Sequence, residues 1–342
     1  MKKIILGLVT LSILFAACST DFKVGADYKE ITTIYCLLSK SDTAQYVKIT
    51  KGFYDEKMDN LVLAQNADTL YFNNLDVKIE ELNNGNITNV YPLTRVDLNL
   101  EGYTKEPGVF VDSPNYAYKL KQTLNPQRTY RLRVKNITSG KEITGETSII
   151  DDAPNSFSIT NPFTAFDKLN FSDPTKNYTF AWNGPSNAAF YDVVIRFHYE
   201  EYNTNTLLST QLYKDVPVVK NVTKAGAVAV QMENKAFYNA LVSALGAPAS
   251  NIVRRVDTPD LLILAGGQVL KTYVDVNSAQ GGITFDQIKP IYTNFSGDDV
   301  MGIISTRVTK KMIGIPYTES TFDSIINGQY TKNLKFVSKS LK

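Results

Sequence analysis

Residues 191–200 read YDVVIRFHYE, and this stretch indicates the class of fold. Large apolar side chains occupy every second position, at Tyr191, Val193, Ile195, Phe197 and Tyr199. The positions between them are occupied by Asp192, Val194, Arg196, His198 and Glu200. Successive side chains of a strand point to opposite faces, so this alternation predicts a β-strand with one face turned toward a core.

The same pattern recurs along the chain in both directions. Apolar and basic side chains alternate along residues 130–135. Ser139-Gly140 then forms a turn that leads to the next strand, at residues 142–150. Residues 46–51 alternate likewise and predict another strand. So do residues 75–80, and Asn83-Asn84-Gly85-Asn86 supplies a tight turn after them into the next strand. Short strands at this spacing, with no alternation of strands and helices, predict a mainly β fold of antiparallel sandwiches.

Charge and proline interrupt the strand pattern at residues 151–155, which read DDAPN. We therefore predict two domains, an N-terminal β-sandwich over residues 31–150 and a C-terminal β-sandwich over residues 155–342. A Trp at residue 182, shortly before the alternating run at 191–200, resembles the arrangement of core residues in immunoglobulin- and fibronectin-like sandwiches. The C-terminal domain has a helical insertion at residues 234–245, where apolar side chains fall on one stripe and Gly246 follows.

Three further strands and one helix are predicted in the last third of the chain. The strands are expected at residues 261–264, 269–276 and 300–308, where β-branched and apolar side chains predominate. The helix is expected at residues 322–326, with Ser320 as its cap and Gly328 at its end.

The composition excludes several classes of function. Of 36 Lys and Arg and 34 Asp and Glu, only Lys2 and Lys3 lie in the first seventeen residues, so residues 18–342 have 34 of each sign. This balance disfavours nucleic-acid binding, which needs an excess of cations. One His and two Cys rule out a His-based zinc site, a Cys/His nucleophile pair and an internal disulfide framework.

The N-terminus has the regions of a secretory signal, with Lys2 and Lys3, an apolar stretch at residues 4–15, and small residues before Cys18. Phe15-Ala16-Ala17-Cys18 resembles a bacterial lipobox, which implies diacylation of the Cys18 thiol, cleavage before Cys18 and acylation of its new amine. We expect residues 1–17 to be the signal peptide and residues 18–30 a lipidated tether. A secreted protein with an incidental Cys is the alternative.

Three acyl chains exceed what stable anchoring needs, so the lipid anchor should hold the protein at its membrane. Ser19 follows the lipidated residue in place of Asp, which in a Gram-negative cell indicates the outer membrane. Whether the protein faces the periplasm or the cell surface stays open.

No motif in the sequence indicates catalysis. The nucleophile-elbow and phosphate-loop patterns are absent, and His198 shares a strand face with Asp192, Arg196 and Glu200, which predicts a solvated polar ladder. Oxygen ligands for Ca²⁺ are offered by Asp55-Glu56 with Asp59 and Asn60, and by Gly297-Asp298-Asp299, but neither set has the spacing of a calcium loop. We expect no catalytic residues, no metal and no cofactor, although a carboxylate-dependent glycan hydrolase stays open as an alternative.

A basic stripe can be drawn across Lys119, Lys121, Arg131, Arg133 and Lys135. It would suit phosphate groups or an acidic partner, but the solvated face of a sandwich hairpin is the favoured interpretation. Cys36 shares a face with Ile34 and Leu38 and is expected to be a buried thiol rather than a reactive one.

Three segments together resemble a family of uncharacterised Bacteroidota outer-membrane lipoproteins, a domain-of-unknown-function type often encoded beside TonB-dependent receptors. They are the lipobox, Ile34-Tyr35-Cys36-Leu37-Leu38 with Tyr46-Val47-Lys48-Ile49, and residues 291–297 with Gly302-Ile303-Ile304. The resemblance implies a non-enzymatic accessory or binding role at an outer-membrane transporter or assembly, with a TonB-dependent receptor or other envelope protein as partner.

Besides the glycan hydrolase, two further alternatives stay open. One is a glycan-binding surface lipoprotein, because the 20 Tyr of the chain favour planar, hydrogen-bonding contact surfaces. The other is a fimbrial or adhesin subunit. Fimbrial maturation usually cleaves after an early Arg, whereas the first Arg here is Arg95, inside the predicted N-terminal sandwich.

Overall fold

A computed structural model describes residues 30–52, 59–164, 167–278 and 292–338. The predicted signal peptide, Cys18, Asp55 and Glu56 lie outside these residues. The described residues are mainly β, with 46% strand and 15% helix, and their strands form several sheets.

The strands within the described residues are numbered in chain order. They are β1 (Thr32–Leu38), β2 (Gln45–Lys51), β3 (Leu75–Asn83), β4 (Asn86–Pro92), β5 (Thr94–Asp97), β6 (Tyr116–Leu120), β7 (Thr129–Asn136), β8 (Glu142–Ser148), β9 (Ser158–Asn161), β10 (Asn177–Asn183), β11 (Phe190–Asn203), β12 (Leu208–Val222), β13 (Ala227–Glu233), β14 (Ile252–Val256), β15 (Asp260–Gly266), β16 (Phe295–Ser296), β17 (Val300–Met312) and β18 (Phe336–Val337).

The helices of the same residues are short. They are α1 (Asn60–Ala64), α2 (Ala67–Leu70), α3 (Asn234–Leu245), α4 (Gln268–Ser278), α5 (Glu319–Asn327) and a 3₁₀ turn at Lys332–Leu334.

One ten-stranded sheet, the long sheet, runs through the described residues in the order β18-β14-β11-β15-β17-β1-β2-β6-β5, with β12 also paired to β11. Two smaller sheets have the orders β13-β10-β9 and β16-β8-β7-β3-β4. Strand β11 is the predicted strand of residues 191–200. Its odd-numbered residues from 191 to 199 are buried and the residues between them are less so, which confirms the predicted alternation.

Most strand pairs are antiparallel, as predicted, but β1 pairs with β17 in parallel, and so does β14 with β18. In the first pair Ile34 lies opposite Gly302. Gly302 has a φ of +93°, and a Cβ there would lie 2.0 Å from the Ile34 carbonyl oxygen. Glycine is therefore what lets these two backbones approach each other.

Two hydrophobic clusters lie between the sheets. The C-terminal core is drawn from residues 150–336 and includes Trp182, whose ring lies 5.3 Å from that of Tyr191 in an edge-to-face arrangement. The N-terminal core is drawn from residues 34–149, together with Phe295 and Ile304 from the far end of the chain. These last two residues fall inside the predicted C-terminal sandwich but pack in the N-terminal core.

Cys36 is fully buried in the N-terminal core, as predicted, and burial raises its pKa to about 12. A thiol with such a pKa is almost entirely protonated at neutral pH and is therefore a poor nucleophile. It behaves as a small apolar side chain.

The predicted helix at residues 234–245 is α3. In this helix Phe237, Tyr238 and Leu241 are buried, whereas Ala244 is exposed. Gly246 follows the helix with a φ of +59°. The last predicted helix begins earlier than expected, because Thr318 rather than Ser320 accepts the capping hydrogen bond, from the Thr321 N–H.

The strand predicted at residues 269–276 is wrong, because these residues form α4. The β-branched residues Val269, Thr272, Val274 and Val276 favoured a strand, but β-propensity is a weak guide outside a sheet. Residue pairs four apart stabilise the helix instead, with an ion pair between Lys271 and Asp275. In addition, the Leu270 N–H donates to Ser305 Oγ on β17 at 3.1 Å.

Candidate binding cleft

An open cleft of about 510 Å³ lies beside the long sheet, between the β1–β2 turn, the loop after β5 and β17. Its walls are Ser41, Asp42, Thr43, Ala44, Tyr46, Leu98, Tyr103 and Arg307. We call it the Tyr46–Tyr103 cleft. Ligand sites of proteins are usually concave and combine apolar surface with a few placed polar groups, and this cleft has that composition.

Strand alternation places Tyr46 in the cleft. In β2 the side chains of Gln45, Val47 and Ile49 are buried, so Tyr46 points to the opposite face. The ring of Tyr103 meets it from the loop after β5, with centroids 5.4 Å apart and planes at 69°. More than half of the Tyr103 side chain is exposed, so the edge-to-face pair presents aromatic surface to solvent.

A carboxylate and an ammonium group fix the position of the Tyr46 ring. The Tyr46 hydroxyl donates to Glu101 Oε2 at 3.1 Å, and Lys119 Nζ donates to the same oxygen. The hydrogen bond from Lys119 is the main reason that the pKa of Glu101 is lowered. Partial burial, followed by the bond to Glu101, raises the pKa of Tyr46, so both tyrosine and carboxylate keep their ordinary charge at neutral pH.

The opposite wall is an ion pair. Arg307 Nη2 lies 3.0 Å from Asp42 Oδ2, and both side chains are at least 40% exposed. Leu38, the last residue of β1, pairs with Thr306 of β17. Arg307 is the next residue of β17, so it lies beside the turn that carries Asp42. Exposed pairs of this kind contribute little stability, so both groups can exchange partners with a ligand at low cost.

His198 belongs to a polar ladder, as predicted. Its Nε2 lies 2.9 Å from Asp260 Oδ2, and Asp260 Oδ1 also accepts the Gly314 N–H. On the same face Arg196 makes a bidentate pair with Asp215, at 2.8 and 2.9 Å. These contacts account for the histidine as part of the cross-strand charge pairing of the long sheet.

The predicted basic stripe is divided between two sheets. Lys119 and Lys121 lie on or next to β6 in the long sheet, whereas Arg131 and Arg133 lie on β7 in the five-stranded sheet. Arg131 pairs with Glu80 and Glu146, and Arg133 with Glu142. Acidic partners of this kind remove the excess of positive charge that a phosphate-binding surface needs.

The acidic residues considered as metal ligands have other contacts. Asp59 caps α1 by accepting the Leu61 N–H, and Asp299 lies 3.4 Å from Lys141. Among the residues that the structure describes, no three His, Cys, Asp or Glu side chains come together to hold a metal ion. In the same residues, no helix is long and apolar enough to span a bilayer.

The cleft was not predicted from the sequence, although the strand that holds Tyr46 was. Its walls come from segments about 50 and 260 residues apart along the chain, and only the pairing of β1 with β17 brings Arg307 to Asp42. The one local signal was the alternation in residues 45–51, which places Tyr46 on the face opposite Val47.

The solved structures include a distant likeness, whereas the other two comparisons find nothing. No family model matches the chain, and no curated protein matches it. Among solved structures the chain is similar to the C-terminal globular domain of an oligosaccharyltransferase from Pyrococcus abyssi, at 9% identity and a TM-score of 0.20. The match covers 84% of this chain and 50% of that one, so this chain spans about half of its length. A likeness at this level carries no argument about fold or function.

Proposed function

We propose that the chain is a non-enzymatic lipoprotein of the bacterial outer membrane, held by acylated Cys18. On this proposal it acts as an accessory or binding component at an outer-membrane transporter or assembly, within the Bacteroidota lipoprotein family described above. The lipobox Phe15-Ala16-Ala17-Cys18 supports the anchor. The Tyr46–Tyr103 cleft supports the binding role.

The single observation that carries the binding role is the pair of edge-to-face tyrosines in an open cleft. Exposed aromatic rings held in place by hydrogen bonds lose little entropy on binding, which is why Tyr is enriched in protein contact surfaces. Glu101 and Lys119 restrain Tyr46, while Tyr103 stays more than half exposed. The cleft is thus both preorganised and accessible.

Site-specific photocrosslinking in cells tests the partner. A photoreactive amino acid at Tyr103 is expected to capture an outer-membrane β-barrel protein, and the same amino acid at Leu208 serves as the control. Leu208 is at least as exposed as Tyr103, but it begins β12 directly after the β11–β12 turn, in the other half of the long sheet. Equal labelling at the two positions, or no adduct at Tyr103, would contradict the proposal.

The second candidate is a glycan-binding lipoprotein, and the Arg307–Asp42 pair favours it. A guanidinium and a carboxylate opposite two aromatic rings suit a ligand with flat apolar faces and many hydroxyl groups. Tyr103→Ala is expected to weaken binding to a polysaccharide panel about tenfold, corresponding to one lost aromatic contact. Tyr213→Ala is the matched control, because Tyr213 is equally exposed outside the cleft.

We also propose that the two cores correspond to two immunoglobulin- or fibronectin-like sandwiches, with α3 as an insertion in the second. The clusters on either side of residue 150 and the Trp182–Tyr191 contact support this division. NMR contacts between backbone amides of neighbouring strands would test the strand order of each sandwich. An order incompatible with a Greek key would exclude these families.

A further inference from the structure

The long sheet has two distant ends, which can be located from its strand register. Thr32 pairs with Val300, Met312 pairs with Leu261, and Leu261 pairs with Ile195. Strand β11 runs in the same direction as β17. From the level of Thr32, twelve residues of β17 lead to Met312, which is level with Ile195. Eight further residues of β11 lead from Ile195 to Asn203. Twenty residues of strand span about 65 Å.

The first of these ends is where the chain enters the fold after Glu30, and we call it the entry end. The Thr32 N–H donates to the Asp299 carbonyl, and the Gly52 N–H donates to that of Ile31. The register of β2 with β6 brings the end of β5 and the loop after it to the same place. Helices α1 and α2, which come after β2 in the chain, also lie at the entry end.

Several aliphatic side chains of the described residues are exposed at the entry end. Leu61 is 60% exposed and Val62 58% on α1, Val109 is 54% exposed on the loop after β5, and Ile137 is 57% exposed in the β7–β8 turn. The first three lie close together, because the Val111 N–H donates to the Ala64 carbonyl at 2.9 Å and Gln65 Nε2 donates to the Val109 carbonyl. The Ile137 N–H donates to the Asn74 carbonyl, just after α2.

Both signs of charge surround these aliphatic residues. Lys105 Nζ donates to the Phe110 and Val111 carbonyls and lies 3.5 Å from Asp112, while Lys141 pairs with Asp299. Long amine side chains next to apolar ones suit an interface between hydrocarbon and water. Because the cations are paired, contact with a membrane would depend on apolar area more than on anionic lipid.

We propose that the entry end rests on the bilayer, with Leu61, Val62, Val109 and Ile137 in the lipid interface and the β11–β12 turn pointing away. This inference rests on the proposed lipid anchor. Eleven residues separate Cys18 from Glu30, and even fully extended they reach only about 40 Å. A tether of this length holds the entry end within about 40 Å of the bilayer, whereas the β11–β12 turn lies about 65 Å along the sheet from that end.

An environment-sensitive fluorophore tests this orientation on the full-length chain in vesicles of phosphatidylethanolamine and phosphatidylglycerol that contain no other protein. It is attached to Val109→Cys or, as the control, to Leu208→Cys. Leu208 is also an exposed aliphatic residue, but it lies at the opposite end. Cys36 should remain unlabelled because it is fully buried.

Nitroxide-bearing lipids are expected to quench the fluorophore at position 109 about twofold and to leave that at position 208 unchanged. Raising the salt concentration should change this little. Equal quenching at both positions, or none at position 109, would overturn the orientation. Quenching at 109 only when an envelope β-barrel is added would overturn it in favour of a protein partner.

The mass of the N-terminal peptide from the same sample tests the anchor separately. An acylated Cys18 with no quenching at position 109 overturns the orientation and leaves the proposed function intact. An unmodified Cys18 overturns the anchor itself, and with it the premise of the orientation.

Discussion

Gly302 and Gly85 both have positive φ angles, +93° and +83°, but their surroundings differ. A Cβ at residue 85 would have no heavy atom within 4 Å, whereas one at residue 302 would overlap the Ile34 carbonyl. The two positions therefore separate the cost of backbone conformation from the cost of a steric clash between β1 and β17.

Gly85→Ala should lower the free energy of unfolding by about 1 kcal/mol, the cost of a left-handed conformation for an L-residue. Gly302→Ala should lower it by about 3 kcal/mol or more, because the strands must also move apart. Urea denaturation of both variants measures the difference. Equal losses would mean that β1 and β17 are not in close contact at this position.

Lys48 forms no ion pair within the described residues, and the charge of Asp97 opposes the lowering of its pKa only in part. Its Nζ donates to the Tyr71 hydroxyl at 2.9 Å and to Asn115 Oδ1. Burial, and to a smaller extent the charge of Lys105, lowers its pKa from 10.5 to about 8. The folded state thus binds fewer protons than the unfolded state between these values, so this group makes stability rise with pH in that window.

Lys48→Met removes this dependence. Between pH 7 and pH 9.5 the wild-type protein should gain about 1 kcal/mol of unfolding free energy relative to the variant, after allowance for solvent screening. Urea denaturation of both proteins at the two pH values measures this change. A difference that stays constant with pH would show that the amine is solvated.

At the scale of elements, β16 and β17 complete a core that lies mostly in the first half of the chain. Phe295 packs in the N-terminal core against β8, where a Cβ on Gly145 would lie 2.5 Å from its ring. Phe295→Ala should lower the free energy of unfolding by about 3 kcal/mol, from lost burial and the cavity it leaves.

Phe163→Ala is the matched control for this substitution. Phe163 is 72% exposed, so its loss should change stability by at most about 0.5 kcal/mol. Amide hydrogen exchange should show faster exchange in β7 and β8 for Phe295→Ala only. Faster exchange confined to α3 would place Phe295 in the other core.

The sequence predicted elements better than their partners. Alternation was enough for β11 because each of its buried residues is large and apolar. It could not indicate that β1 pairs with β17, since the partners are some 270 residues apart and the pairing depends on one glycine. For α4, β-branched residues suggested a strand, and the contacts that decide otherwise lie partly on β17.

At the scale of the whole molecule, the parallel pairing of β1 with β17 joins the two cores through one continuous sheet. A fragment of residues 31–150 therefore lacks Phe295 and Ile304 of the N-terminal core. It also lacks β17, the strand that pairs with β1 in parallel. We expect it to be unfolded or aggregated by itself, and to fold when residues 292–312 are added through a flexible linker. Dispersed NMR amide signals from the shorter fragment would contradict this.

On the proposed anchor, the same sheet would have a fixed direction relative to the membrane. The Tyr46–Tyr103 cleft lies near the end of β1, six residues or about 20 Å from the entry end. A ligand in the cleft would then be held beyond the lipid headgroups, within reach of the extramembrane loops of an outer-membrane protein. The proposed anchor and the proposed orientation both depend on the chemical state of Cys18.

Mass spectrometry of the N-terminal peptide, from the membrane fraction of cells that export the chain, tests this state directly. We expect a mature chain that begins at Cys18, with two acyl chains on the glyceryl thioether and one on the amine. Cys18→Ala should remove these modifications and release the protein from the membrane fraction. A chain that keeps residues 1–17, or carries an unmodified thiol at Cys18, would contradict the account.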